Sequence, residues 1–307
     1  MIQLVGDVGG THARLALARD GVLQPGTLRR VRGEDHASFD ELLAGYLAGL
    51  GRPAIAAVCI AVAGPVEGGR ARLTNRDWSL STERLRTLTG AAEARLMNDL
   101  MALGHATATL PRRLLRPGAD GGAGGNGQSL VVNAGTGFNV CATRATTAGL
   151  VCLEAEEGHT DLPAGIAAGL AQQLGPRTVP FASVEEVFSG PGFARFHALR
   201  TGLANGSPGG EALAAAAAAG DPAAAASFAA FARLFGALLR ELALRFRPRE
   251  GIWLAGSLAR ALVPWAAEIE AGMLARPLMR HLTEAVPLLL IEDDTAGLQG
   301  CLNAITR

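Results

Sequence analysis

The sequence contains no lysine: all 28 of its basic residues are arginine. A Walker-type phosphate loop needs its lysine, and pyridoxal phosphate needs one for its Schiff base, so both chemistries are excluded. Any phosphate bound here must be met by backbone amides, hydroxyls or arginine. Cysteine is scarce too. Cys59, Cys141, Cys152 and Cys301 stand among apolar neighbours with no Cys-x-x-Cys spacing, which argues against a zinc motif or a disulfide framework and predicts buried thiols. There is no excess of charge: 28 acidic residues cancel the arginines and no arginine-rich block stands out, so the expected partner is a small molecule, with no nucleic acid and no membrane. The N-terminus lacks a basic segment followed by a long apolar stretch, and no apolar run is read as approaching the roughly 20 residues that span a bilayer. The expected location is cytoplasmic.

With 307 residues, 49% of them hydrophobic and 18% charged, the chain is long enough for two lobes with a core each. Ile2–Val5 and Arg14–Ala18 read as strands joined by a glycine-rich tip, Gly6-Asp7-Val8-Gly9-Gly10-Thr11. Helical spacing follows over 39–50, a β-branched strand over 55–62, and a helix opened by a Ser-Thr cap over 81–88. A short strand, 94–97, stops at Asn98-Asp99, and 100–110 reads as a helix. The run 118–127 has the most flexible composition in the chain and predicts a surface loop. After it come a strand over 129–132, the turn Gly135-Thr136-Gly137 and a strand over 140–143. Thr136 stands 125 positions after Thr11, which suggests one strand-Gly-Thr-strand unit per lobe. Beyond residue 192 the chain is helical and alanine-rich, with strands over 252–255 and 286–291 and a closing helix over 295–305.

Three segments offer chemistry, each with a plainer alternative. In Asp7-Val8-Gly9-Gly10-Thr11, adjacent glycines let the backbone approach a phosphate, Thr11 adds a hydroxyl, and Asp7 suits a magnesium ion held through water; the alternative is an ordinary hairpin turn. Asn98-Asp99 sits where a strand ends, so Asp99 is either a base that takes a proton from an attacking hydroxyl or a cap for the next helix. Glu156-Glu157-Gly158-His159 combines carboxylate and imidazole groups suited to directional bonds with sugar hydroxyls, or is an exposed acidic turn. No second histidine stands at a metal-ligand spacing.

Taken in order, Gly6–Thr11, Ala63-Gly64-Pro65-Val66, Leu73-Thr74-Asn75 with Trp78, Asn98-Asp99, Gly135–Gly137, Glu156 with Gly158-His159, Ser189-Gly190-Pro191-Gly192 and Leu254-Ala255-Gly256 resemble the bacterial glucokinases of the non-repressor type. These belong to the actin, hexokinase and heat-shock ATPase superfamily. The related repressor branch carries a cysteine-rich zinc motif that this chain lacks. The resemblance implies an α/β, two-lobed, actin-like (ribonuclease H-like) duplicated fold, with a small lobe of 1–109 plus 293–307, a large lobe of 110–292, and the sugar in a cleft between them. It further implies ATP and magnesium as cofactors, a homodimer, and phosphorylation of the 6-hydroxyl of D-glucose. Asp99 would be the general base and Asn98 a glucose ligand, with Glu156, His159 and Glu185 on the remaining hydroxyls. Asp7, Gly9, Gly10, Thr11, Gly135, Thr136 and Gly137 would surround the phosphates and magnesium, with Gly256 beside the adenosine. Four positions depart from the family pattern: His12 replaces a common Asn, Asn139 a loop-closing Gly, Glu157 a Gly, and Ser257 a second Gly. These departures keep open two other readings, a weakened paralogue that senses sugar or nucleotide and a kinase for another hexose.

Overall fold

The computed structural model describes residues 1–73, 77–119, 125–177, 181–203 and 208–306. Thr74 and Asn75 of the family-like segment lie outside that set, as do residues 120–124 of the glycine-rich run. The chain divides into two compact units, Met1–Leu110 with Asp293–Arg307, and Pro111–Glu292.

In the first unit the strands are β1 (Ile2–Val8), β2 (His12–Arg19), β3 (Val22–Leu23), β4 (Arg29–Arg32), β5 (Ala57–Val62), β6 (Val66–Glu67), β7 (Arg70–Arg72), β8 (Ser79–Ser81) and β9 (Glu93–Asn98). Six form a sheet in the order β3-β2-β1-β5-β9, with β4 also paired to β2, and β6-β7-β8 form a small antiparallel sheet. Every residue of β5, Ala-Val-Cys-Ile-Ala-Val, is buried, as expected for a central parallel strand covered on both faces. Helices α1 (Phe39–Gly49) and α2 (Thr82–Thr89) start where serine hydroxyls cap them: Ser38 accepts the Glu41 amide and Ser81 the Arg84 amide, both at 3.1 Å. On the other face, α3 (Asp99–Ala106) and the C-terminal helix Ala296–Ile305 pack Ala102, Leu298, Cys301 and Leu302 against Val5, Cys59 and Met97. The helix expected over 100–110 ends at Ala106, because the Thr107 amide turns back to Gly104 O and Pro111 follows.

The second unit contains β10 (Arg113–Arg116), β11 (Gln128–Ala134), β12 (Phe138–Thr146), β13 (Gly149–Leu153), β14 (Gly251–Ala255) and β15 (Leu288–Leu290), in the order β10-β15-β14-β11-β12-β13. Its helices are α4 (Ala164–Leu174), α5 (Val184–Phe188), α6 (Gly190–Thr201), α7 (Gly210–Ala218), α8 (Pro222–Phe246), α9 (Ser257–Ala261), α10 (Ala266–Met273) and α11 (Arg280–Glu284). The spacing Phe228, Phe231, Phe235 puts three rings on one face of α8, where they pack with Phe188, Phe193 and Phe196.

The strand patterns of the two sheets correspond. In each, an antiparallel hairpin (β1-β2, β11-β12) extends outward by a further antiparallel strand and inward by two parallel ones, β5 and β9 or β14 and β15. The hairpin tips differ by one residue: Val8 pairs with Ala13 across 9–12, and Ala134 with Phe138 across 135–137. On these registers Asp7 opposite Arg14 corresponds to Asn133 opposite Asn139.

Two expectations need correction. By length and composition α8 is apolar enough to cross a membrane, but most of its apolar stretch is buried within the second unit, so it reads as a core helix. Cys152 is only half-buried, since β13 is an edge strand with alternate residues exposed. At the start of the glycine-rich run the backbone packs closely, since a Cβ on Gly118 would lie 2.4 Å from Ala285 O, while Ala119, Gly125 and Asn126 are exposed.

Candidate active site

Parallel register decides what the first unit presents. Val8, Val62 and Asn98 lie in one row across β1, β5 and β9, so the Gly9–His12 tip, Ala63-Gly64 and Asn98-Asp99 all emerge from the same end of the sheet. This is the carboxyl end, where open α/β sheets bind ligands. Asp7 lies just before the row and opposite Arg14, whose Nη1 donates to Asp7 Oδ2 at 3.2 Å. Burial pushes the Asp7 carboxyl above its ordinary range, and the Arg14 guanidinium offsets only part of that. The Gly9 amide closes the tip on His12 O at 2.9 Å, while Thr11 is exposed and Gly10 half-buried. His12 is the first residue of β2 and pairs with Arg32.

At the end of β9, Asn98 occupies the N-cap of α3 and Oδ1 accepts the Leu100 amide at 2.8 Å. Asp99 is the first helical residue, and its Oδ1 accepts the same amide at 3.0 Å. The cap position is thus filled by Asn98, with Asp99 lending a second acceptor. Asn98 Nδ2 also donates to Gly64 O at 3.1 Å, tying the Ala63-Gly64-Pro65 turn to the strand end. Gly64 has φ +145°, a conformation that favours glycine.

In the second unit, Gly135-Thr136-Gly137 is fixed from two sides. The Gly135 amide donates to Gly137 O at 2.9 Å, and the Gly190 amide donates to Gly135 O at 2.7 Å. Each residue of Ser189-Gly190-Pro191-Gly192 has a local reason. Ser189 Oγ caps α6 by accepting the Gly192 amide at 3.2 Å, Pro191 suits the first turn, and a Cβ on Gly192 would lie 2.3 Å from Val187 O. Gly256 adopts φ +94°, with room for no Cβ, since one would sit 2.3 Å from Ala134 O. Around these turns opens a cavity of about 580 Å³, lined by Gly135, Thr136, Pro191, Glu211, Ser257 and Arg260 among others. It is mainly apolar, with backbone amides and a few polar groups at its edge, a form suited to a nucleoside. The Gly209-Gly210-Glu211 and Arg260 contributions were not anticipated; their only sequence signal was a Gly-Gly pair before an alanine-rich helix. A larger cavity, about 750 Å³, lies in the first unit beside β6-β7-β8 and contains none of the expected site residues.

Phe138 and Asn139, directly after the turn, hold two of the three expected hydroxyl ligands, and His159 follows in the turn after Glu156. The Phe138 amide donates to Glu185 Oε2 at 2.8 Å, and Asn139 Nδ2 donates to Glu156 Oε2 at 3.0 Å. Asn139 Oδ1 accepts the Glu157 amide at 3.1 Å, and the following short turn, Glu157–His159, is closed by the His159 amide on Glu156 O. Glu156 and His159 are exposed and Glu185 is half-buried. Two departures are thereby explained. Asn139 is an extended strand residue opposite Asn133, not a residue of positive φ closing a loop. Glu157 turns inward, buried, and pairs with Arg245 of α8, so its charge is not added to the Glu156–His159 face.

Among the described residues no group of three or more His, Cys, Asp or Glu could hold a metal ion. A single half-buried carboxylate, Asp7, still fits magnesium, which commonly uses one or two carboxylates and completes its shell with water and substrate phosphates.

Two α/β units of matching strand order, each opening on a glycine-bearing hairpin, constitute the duplicated actin-like (ribonuclease H-like) fold. Comparison with known proteins narrows this. The glucokinase family profile matches residues 4–307. A glucokinase of Caulobacter sp. (strain K31) is 30% identical over 99% of this chain and 94% of its own length. The crystal structure of a glucokinase from an Antarctic psychrotroph superposes with a TM-score of 0.83 at 26% identity, covering 99% of this chain and 98% of that one. A ROK-family glucokinase from Streptomyces griseus, solved with glucose and AMPPNP, shares the fold at a TM-score of 0.66 and 19% identity, covering 99% of each chain. The chain belongs to the glucokinase family, a family of hexose kinases.

Proposed function

We propose that this protein transfers the γ-phosphoryl group of ATP to the 6-hydroxyl of D-glucose, giving glucose 6-phosphate and ADP. Asp99 acts as general base on the attacking hydroxyl and Asn98 holds the sugar with the second N–H of its amide. Glu156, His159 and Glu185 bind the other hydroxyls. Asp7 carries magnesium through water, and Gly9, Gly10, Thr11, Gly135, Thr136 and Gly137 line the phosphates, with Gly256 beside the adenosine. Since no lysine exists to meet the transferring charge, magnesium, loop amides and arginine supply that electrostatic stabilisation.

The observation that carries this reading is the continuity between the Gly135–Gly137 turn and the residues after it: Phe138 and Asn139 hold Glu185 and Glu156. A phosphate turn and a set of hydroxyl ligands are joined by one strand start, which a plain hairpin or an isolated acidic turn would not require. The test is ADP release over a panel of hexoses with ATP and magnesium, with products identified by mass spectrometry. D-Glucose should be preferred and turnover should vanish when the metal is chelated. Glucose binding by calorimetry without product from any hexose would replace the kinase with a sensor, and product from another hexose alone would revise the substrate. The family resemblance also suggests a cytoplasmic homodimer, which light scattering would report as twice the 31.5 kDa chain mass.

A further inference from the structure

We infer that Gly297 is a positioning residue for Asp7: by having no side chain it lets the C-terminal helix close over the carboxylate and hold it against Arg14. The inference rests on the proposed role of Asp7 as the residue that carries magnesium.

The C-terminal helix is fixed to the first sheet along its length. Cys301 Sγ donates to Gly6 O at 3.4 Å, and Gln3 Nε2 donates to Thr306 Oγ1 at 3.2 Å. At Gly300 the helix meets α3 backbone to backbone, since a Cβ there would lie 1.7 Å from Ala102 O. With the helix anchored, its first turn cannot retreat from β1. At Gly297 a Cβ would stand 3.3 Å from both Cγ and Oδ2 of Asp7. Oδ2 is the oxygen that accepts Arg14 Nη1 at 3.2 Å. The carboxylate is therefore met by both the helix start and the guanidinium, while the Thr295 amide at the head of the helix is taken by Asp293 Oδ1 at 2.7 Å. The contact at 297 is with a movable side chain, whereas that at 300 is with backbone. A methyl group at 297 would thus displace the Asp7 carboxylate by a few tenths of an ångström and leave the packing otherwise intact.

Gly297→Ala should lower kcat about 10-fold, because small misplacement of a positioning group is costly in the transition state. It should also raise the magnesium concentration for half-maximal rate several-fold and leave the melting temperature and the glucose Kd unchanged. Calorimetry gives a readout apart from turnover: the gain in ATP affinity on adding magnesium should shrink. Because Gly297 acts only through Asp7, Gly297→Ala combined with Asp7→Asn should cost no more than Asp7→Asn alone. Additive losses, or an unchanged magnesium requirement in Gly297→Ala, would overturn the inference while leaving Asp7 in its role. If Asp7→Asn itself keeps the normal metal dependence, the role of Asp7 falls and this inference falls with it. Should Gly297→Ala fail to fold, Arg14→Gln loosens the same carboxylate from the other side without adding bulk and is expected to shift the magnesium dependence in the same direction.

Discussion

Glu185 lies directly beneath Gly137: its Oε2 accepts the Phe138 amide at 2.8 Å, and a Cβ on Gly137 would stand 2.5 Å from that oxygen. A residue expected to bind sugar is thus positioned by a turn expected to bind phosphate. Gly137→Ala should push the carboxylate off the amide and sacrifice a charge-assisted hydrogen bond of about 1.5–3 kcal/mol, visible as a loss of roughly 10-fold or more in glucose affinity. The blocking atom is the end of a flexible side chain, so the fold should survive. Calorimetry on Gly137→Ala, Glu185→Ala and the double variant decides: additive effects would mean that the glycine does not act through Glu185.

Asp99→Ala and Asp99→Asn should lower turnover by about 10² to 10⁴, the usual contribution of a general base. Stability should change little, because Asn98 still caps α3 through the Leu100 amide at 2.8 Å. Steady-state kinetics beside thermal denaturation test this. Near-native kcat in either variant would reduce Asp99 to a helix-start residue.

How much of this was legible in the chain depends on how local each cause is. The glycine-bearing hairpins, the strand ending at Asn98 and the cap at Ser81 follow from neighbours in sequence, so pattern alone locates them, whereas the cap at Ser38 shows only in the structure. Ser189-Gly190-Pro191-Gly192 stood out as a motif, but its purpose, an amide donated to Gly135 O across some fifty residues, needed the fold. Asn139 reads as a turn-closing position because it stands just after the glycine turn, but the second hairpin closes at Ala134 and Phe138, which leaves position 139 in the strand opposite Asn133. Glu157 looked like a charge near the sugar because its partner, Arg245, lies 88 residues away. For Gly209-Gly210-Glu211 the sequence offers only a Gly-Gly pair before an alanine-rich helix, which does not identify the cavity those residues help to line.

The raised pKa of Asp7 sets a pH dependence of stability with a definite sign. The folded state holds this proton more tightly than the unfolded chain, whose ordinary value is 3.8. Its contribution is therefore fully present below about pH 4 and is lost as pH rises through the higher folded value. Asp7→Asn removes that loss. The variant's melting temperature relative to the parent should climb as pH rises above about 4 and then level off, while magnesium-dependent turnover falls by at least about 10². A carboxylate retained at a cost to stability fits a functional position. A melting temperature that instead falls at neutral pH would mean that the Arg14 pair outweighs burial.

The Glu157–Arg245 pair separates a structural role from a sugar-binding one. Glu157 has a side chain only 8% exposed, whereas Arg245 on α8 is 45% exposed. Removing the arginine strands a carboxylate that cannot easily reach water, but the pair is partly solvated, so the loss should fall below the 3–5 kcal/mol typical of broken buried pairs. Arg245→Met is expected to cost about 1–3 kcal/mol. Glu157→Gln should cost less, because the arginine left behind can solvate itself and the amide needs no counter-charge. Neither change should alter the glucose KM by more than about 2-fold, since the carboxylate faces α8 rather than the Glu156–His159 face. Denaturant melts of both variants, read beside their KM values, distinguish the two roles. If Glu157→Gln shifted the glucose KM strongly while its stability stayed level with the parent, the carboxylate would have to face the sugar.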